Sequence, residues 1–303
     1  MMEEANQKAE REKEAAQQKI LTSERKREEA ERQARVSRRR AEEAEAEARV
    51  LGTQWVVRRN EIQLTNVELG RGGWGAVMVA NFRGIQVAAK CFYRELSSNY
   101  YGDMFSREMN MAARLRHPNL VQFIGASIEG VPVVLTELMK TSLRAELEKE
   151  SINQIHVTSI SLDVAQALNY LHLMQPHPII HRDISSANVL LDPLPDTCWK
   201  AKVSDYGSVN LQEQLHTENP GNPVYSSPEA NTPALQSPKM DIFSFGVLLM
   251  ELLTGKFPQV SCRQRLIASI DHAAYQALVE QCLNERRDSR PSAQELITQL
   301  HVI

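Results

Sequence analysis

The spacing of hydrophobic and polar positions changes once along this chain, close to residue 52. Before it, Ala9, Ala16, Ile20, Ala30, Ala34, Ala41, Ala44, Ala48 and Leu51 recur in steps of four and three and share one stripe. Residues 1–51 hold 13 Glu, 13 Lys or Arg and 10 Ala, with neither Gly nor Pro. These are strong helix formers with many opposite charges three or four apart, so the segment is expected to be one long charged helix. The 3.5-residue spacing is that of a coiled-coil seam. Lys13 and Arg27 also fall on the stripe, however, and alanine buries little area. A solvated spacer and a helix that pairs with a second copy or a helical partner both stay open.

Gly52 and Thr53 break the helix, and residues 52–61 read as a linker. From Ile62 the period shortens to that of strands. A glycine-rich stretch, Glu68-Leu69-Gly70-Arg71-Gly72-Gly73-Trp74-Gly75-Ala76-Val77, lies between two apolar runs, and Val77-Met78-Val79-Ala80 continues as a strand. Gln86 to Phe92 is a third strand with Lys90 inside it. Phe105, Met109, Ala112 and Ala113 then line one face of a helix read over residues 105–115. Val131 to Met139 is again strand-like, and helices are expected over 142–149 and 157–172. The latter has Ile160, Val164, Ala167, Leu168 and Leu171 on one face. The most apolar run, Ile242 to Leu253, still contains Ser244 and Glu251.

Composition narrows the class. A chain of 303 residues with 42% hydrophobic content can bury a sizeable core, and a net charge of -3 gives no reason to expect nucleic acid. Cys91, Cys198, Cys262 and Cys282 lack metal-type spacing, which suits reduced cytosolic thiols. The first residues are mostly Glu, Arg and Ala rather than an apolar leader, and no run reaches the ~20 apolar residues of a membrane helix. A cytoplasmic, soluble protein without membrane insertion is the expectation.

Candidate chemistry gathers at His181-Arg182-Asp183-Ile184-Ser185-Ser186-Ala187-Asn188, a polar loop running into the apolar Val189-Leu190-Leu191. An Asp there can orient and deprotonate a hydroxyl, while an Asn amide oxygen five residues on can hold a divalent metal. Glycines in the hairpin let main-chain N–H groups approach phosphates that a side chain would obstruct. A dinucleotide site would instead want a helix after the last glycine. Lys90 reads on its own as a cation needing an anionic partner or as a snorkelling strand end. Asp205, in Val203-Ser204-Asp205-Tyr206-Gly207, is a hard carboxylate suited to a hard cation.

Taken in order, these stretches resemble the motif series of protein kinases over about residues 62–303. The hairpin matches G-x-G-x-x-G-x-V, Val87-Ala88-Ala89-Lys90 resembles V-A-I-K, and residues 181–188 resemble H-R-D-L-x-x-x-N. Asp205-Tyr206-Gly207 resembles D-F-G with Tyr for Phe, and Ser227-Pro228-Glu229 resembles A-P-E. Asp241 to Gly246 is similar to the start of the family's large buried helix. Arg290 is similar to the arginine that pairs with the Glu of A-P-E. The stretch Leu120 to Gly125 and the short C-terminal part look most like the tyrosine-kinase-like group.

The resemblance implies an α+β, two-lobed protein kinase fold, preceded by the long charged helix. A small antiparallel sheet with one main helix would span about residues 62–137, and a mostly helical lobe about 138–303. It implies ATP and Mg2+, and a protein substrate whose hydroxyl receives the γ-phosphate. Asp183 would orient that hydroxyl, and Asn188 and Asp205 would hold magnesium. Lys90, aligned by Glu108, would grip the phosphates. The nucleotide would lie against Leu69, Gly70, Arg71, Gly72, Gly73, Trp74, Gly75, Val77, Ala88 and Leu190. Thr136 would limit the back of the adenine pocket, and main-chain groups of Glu137 and Met139 would bind the adenine edge. Residues 208–227 would form an activation segment that Arg182 docks once it is phosphorylated, with Thr217, Tyr225, Ser226 and Ser227 among its available hydroxyls.

Two departures stand out. Ser185 and Ala187 occupy positions where serine/threonine and tyrosine kinases respectively carry a cation that helps neutralise the γ-phosphate. Gly221-Asn222-Pro223-Val224-Tyr225 has Asn where serine/threonine enzymes have Thr, yet its length from Glu229 is the serine/threonine one. A serine/threonine kinase is the expected activity. The rival is a scaffold that binds nucleotide and recruits partners through the N-terminal helix.

Overall fold

The computed structural model describes residues 54–303 except 73–74, 94–98, 151, 196–197 and 207–221. The helix read over residues 1–51 lies outside the described residues, as do Gly73, Trp74, Gly207 and Thr217.

Five strands form an antiparallel sheet in the order β1-β2-β3-β5-β4. They are β1 (Ile62–Arg71), β2 (Gly75–Phe82), β3 (Ile85–Phe92), β4 (Phe123–Ser127) and β5 (Val133–Glu137). The β2–β3 loop has two residues, Arg83 (φ 48°) and Gly84 (φ 86°), the two positive φ angles that match the twist of a tight hairpin. Arg83 is uncommon there, and its guanidinium is tied down, pairing with Glu61 at 3.0 Å and lying 4.9 Å from the Phe82 ring centroid.

Cross-strand partners share a face. Val87 pairs with Ala80 and Glu137, and Ala89 with Leu135. Ala80, Val87, Ala89 and Leu135, with Val57, Ile62, Phe82 and Val133, build a small separate core on one side of the sheet. The opposite side carries Val77, Lys90 and Val134 in one cross-strand row and Val79, Ala88 and Thr136 in the next. That alternation alone puts the lysine on the face away from the small core.

The folded unit extends back to Trp55, so the residues read as linker are partly structural. Trp55 and Val57 are buried, and Val57 N–H and Ala126 N–H bond Ala126 O and Trp55 O, each at 2.9 Å. Helix α1 (Asn99–Ala112) starts six residues before Phe105, the first residue of the stripe read from the sequence. Its Phe105 packs edge-on against Trp55 and Phe92, with centroids 6.3 and 6.0 Å apart.

After the two-residue strand β6 (Thr141–Ser142) the chain becomes helical. Ser142 caps α2 (Leu143–Glu148), its Oγ accepting from Ala145 N–H at 3.2 Å. Asn153 caps α3 (Gln154–His172) in the same way. Strands β7 (Val189–Pro193) and β8 (Trp199–Val203) join β6 in a second small sheet.

Helix α4 (Lys239–Thr254) is apolar all round, and every residue from Met240 to Leu252 is buried, so it forms the axis of this lobe. It ends at Gly255 in the left-handed conformation (φ 63°). Helices α5 (Arg263–Ala268), α6 (Ala273–Cys282) and α7 (Ala293–Leu300) complete the lobe. A Cβ at Gly246 would come within 2.5 Å of Cys282 Cβ, so glycine is what lets α6 lie so close. The result is an α+β molecule with an antiparallel sheet lobe and a helical lobe. Among the described residues no helix is long and apolar enough to cross a membrane.

Candidate active site

The polar loop before β7 hangs from α4. Asp241, in the first turn of that helix, is wholly buried. Its Oδ1 accepts Arg182 N–H, and its Oδ2 accepts His181 N–H and meets His172 Nε2, all at 2.8 Å. Burial pushes its carboxyl up, but His172 and the main-chain donors outweigh it and hold the group below the usual range. The grip has a local consequence. Arg182 sits at φ 66°, a region unfavourable for a side chain by about 1–2 kcal/mol, and Asp241 fixes its peptide there.

His181 is also buried. Its Nδ1 accepts Asp183 N–H at 3.3 Å, so the proton is on Nε2, which donates to Ser204 O at 2.8 Å. One imidazole thereby joins the Asp183 loop to the segment leading to Asp205.

Asp183 is held at both oxygens. Asn188 Nδ2 donates to its Oδ2 and to its main-chain oxygen, each at 2.8 Å. Asn222 N–H donates to its Oδ1 at 3.2 Å. Burial is the main reason its carboxyl is pushed above the ordinary range, and nearby Asp205 adds to this. His181, Asn188 and Asn222 oppose the shift without cancelling it. Both amide hydrogens of Asn188 are spent on Asp183, which leaves the acceptor oxygen as the chemistry its amide has still to offer.

Asp205 follows β8 at φ 62°, in the left-handed region like Arg182. Its Oδ1 meets Lys90 Nζ, from the centre of β3, at 2.9 Å. The Asp205 side chain is 39% exposed against 18% for Lys90, so the carboxylate is the more open member of the pair. Glu108 is buried on α1. The Tyr206 hydroxyl donates to Val121 O, and its phenol is pushed up by burial. Val121 N–H in turn bonds Val203 O at 2.9 Å, which ties this turn to the segment between α1 and β4.

The nucleotide-side residues divide by exposure. Leu69, Gly70, Arg71 and Gly72 are exposed at the end of β1, whereas Val77 and Leu190 are half-buried and Ala88 is buried. Gly75 has a steric reason to be glycine, since a Cβ there would sit 2.2 Å from Cys91 O. Thr136 lies opposite Ala88 on β5, and Met139 is buried just beyond. Glu137 bonds Gln122 O through its N–H at 2.9 Å. Its carboxylate takes Gln122 N–H at 2.6 Å and Lys202 Nζ at 2.7 Å. Lys202 is three residues before Asp205, so this pair clasps the strand that feeds it.

The segment after residue 221 differs from the available hydroxyls expected of it. Tyr225 is only 2% exposed. Its hydroxyl meets Arg144 Nη2 at 2.8 Å, Ser186 Oγ at 3.2 Å and Glu251 Oε2. In this arrangement it is a structural phenol, pushed up by burial and by Glu251. Ser227 is buried as well, and Ser226 is half-buried with its Oγ on Asn222 O at 3.2 Å. Glu229 and Arg290 form two hydrogen bonds of 2.6 and 2.9 Å between buried groups.

Sequence reasoning placed Asp241 only as the start of a helix, and it passed over Arg144, Lys202 and Ser186. A buried acid opening an otherwise apolar helix was the available signal for Asp241. Arg144, Lys202 and Ser186 meet partners more than sixty positions away and left no local trace.

Known proteins carry the same series. The model of the protein kinase domain matches residues 64–302. The chain belongs to the protein kinase family. Among kinases it is similar to the "Dual specificity protein kinase splA" of Dictyostelium discoideum, 31% identical over 80% of this chain and 11% of that protein. It is also 31% identical to "Probable serine/threonine-protein kinase drkB" of the same organism, over 78% of this chain and 36% of that one. The "Seven transmembrane domain-containing tyrosine-protein kinase 1" is 30% identical over 78% of this chain and 37% of its own length. The chain thus spans well under half the length of these kinases. Their names cover all three hydroxyl specificities.

Proposed function

We propose that this chain transfers the γ-phosphate of ATP to a hydroxyl of a protein substrate, with Ser or Thr preferred to Tyr. The observation that carries the reading is the Asp183–Asn188 lock. It holds a hydroxyl-orienting carboxylate and leaves an amide oxygen still to offer, beside a turn that presents Asp205 to Lys90.

The donor set fits a magnesium ion. Asn188 offers a neutral oxygen and Asp205 an accessible carboxylate, and a small hard cation usually takes one or two such protein oxygens and completes its shell with phosphate and water. When bound, such an ion would supply neutralisation of the charge on the transferring phosphoryl group. Lys90 would turn from Asp205 toward the phosphates, which the shared geometry allows. Gly75 lets the hairpin strand pass close to Cys91, so main-chain N–H groups near it can approach the phosphates.

Asp183 aligns the attacking hydroxyl and accepts its proton late in the transfer. Its fixed position supplies orientation rather than strong basicity. Ser185 is buried, so it places no group on the γ-phosphate, and a somewhat slower enzyme is expected. The preference for Ser or Thr rests on the length of the Gly221–Glu229 segment. The tyrosine-kinase-like affiliation rests on the Leu120–Gly125 stretch.

The test is transfer from labelled ATP with Mg2+ to a general protein substrate, followed by phosphoamino-acid analysis. Phosphoserine or phosphothreonine is expected. Phosphotyrosine alone would overturn the preference, and no transfer by folded, nucleotide-binding protein would overturn the activity.

A further inference from the structure

Among the described residues of the helical lobe, the packed arginines Arg290 and Arg144 each face a carboxylate. Arg290 faces Glu229 at 2.6 Å and Arg144 faces Glu251 at 3.3 Å. Arg263, at the start of α5, has none. Its Nη2 donates to Val224 O at 2.8 Å, its guanidinium lies 5.3 Å from the Phe243 ring centroid, and its Nε is buried without a hydrogen-bond partner. Burial lowers its pKa, and no neighbouring acid acts on it in the opposite direction. A half-buried cation with no counter-charge among the described residues favours an anion that arrives beside it.

Its place decides which anion. Val224 is two residues from Asn222, whose N–H holds Asp183 Oδ1 at 3.2 Å. Two residues of chain span at most about 7 Å. Extended peptide advances about 3.3 Å per residue, so some four residues beyond an acceptor hydroxyl at Asp183 reach the guanidinium. Arg144, another cation near this turn, is already paired with Glu251 and bonded to Tyr225.

We propose that Arg263 forms a subsite for an acidic side chain of the protein substrate, within four residues of the phosphoacceptor. The inference rests on the kinase reading and names the class of substrate that this surface selects. The carboxylate would meet the outer edge of the half-buried guanidinium, while Nη2 keeps its bond to Val224 O. Specificity would come from relief of a desolvated charge rather than from a shaped pocket.

The experiment uses the full chain and a peptide series in which one Asp is walked from four residues before to four after a single Ser in a neutral background. The wild type is expected to favour one Asp position by about tenfold in kcat/KM over the Asp-free peptide. That ratio should collapse to one in Arg263→Gln, which keeps an amide donor for Val224 O, and should persist in Arg265→Gln. Arg263→Glu should shift the preference to Lys at the same position. A ratio unchanged in Arg263→Gln, including a uniform loss on every peptide, would overturn the subsite. A wild type that labels all peptides regardless of Asp overturns it and leaves the kinase reading standing. A wild type that labels neither the peptides nor a general protein substrate overturns both.

Discussion

Each lobe contains an arginine–glutamate pair closed to 2.6 Å, Arg71–Glu68 on β1 and Arg290–Glu229 in the helical lobe. Both are two-pronged. Their surroundings are opposite. The Arg71 and Glu68 side chains are 64% and 36% exposed, whereas those of Arg290 and Glu229 are 0% and 8% exposed. In water the first pair loses almost as much hydration as it gains attraction. The second cannot be opened without stranding a charge, and Arg290 holds the Glu229 carboxyl low against the burial that pushes it up. Distance therefore says little about worth, and burial says most of it. The same contrast runs through the site. The glycine strand that would cover phosphates is held by main-chain pairing at an exposed edge, while Asp183 and the segment around Tyr225 hang from a buried helix.

The largest way to break the contrast is Arg290→Ala. It should lower unfolding free energy by about 3–5 kcal/mol, read by chemical denaturation, because Glu229 is left buried and alone. A loss below about 1 kcal/mol would mean that Glu229 relaxes into water and that the two pairs are alike. Gly75→Ala comes next. The added Cβ must displace Cys91 O, so about 1–3 kcal/mol and a weaker ATP affinity are expected, and unchanged nucleotide binding would remove the steric reading.

Tyr206→Phe sharpens the comparison inside the buried half. It removes one hydroxyl and leaves Val121 O short of a donor, for about 1 kcal/mol in the same denaturation measurement. Stability equal to wild type would make that hydrogen bond irrelevant. Glu68→Gln should leave the unfolding midpoint where it is, and a clear drop would show that the exposed pair matters after all.

How much of this was legible in the sequence follows the same division. Lys90, Asp183, Asn188 and Asp205 sit in short motifs whose order signalled the family, and Ser142 and the apolar face of α3 were visible locally. The face on which Lys90 lies was not read from its apolar run; the pairing of β3 with β2 and β5 sets it opposite the small core. The availability of Tyr225 was misjudged, because its burial is made by Arg144, Ser186 and Glu251 rather than by its polar neighbours in sequence. The role of Asp241 was hidden for a related reason. Besides His172 it holds main-chain N–H groups, which almost any residue types at 181 and 182 would supply. Trp55 and Val57 looked like linker because the strand they pair with, β4, lies about seventy residues on.

The central claim is that Asp183 orients and accepts the proton of the attacking hydroxyl. The most direct test compares labelled phosphate transfer by the wild type and Asp183→Asn at saturating ATP and Mg2+, with nucleotide affinity measured on the same samples across pH. The variant should lose about 10²–10⁴-fold in transfer while binding nucleotide as the wild type does. The base works unprotonated and its carboxyl is pushed up, so wild-type transfer should fall with decreasing pH at a value above the ordinary 3.8 of an Asp. A variant that transfers phosphate at the wild-type rate, with the same pH profile, would contradict the account.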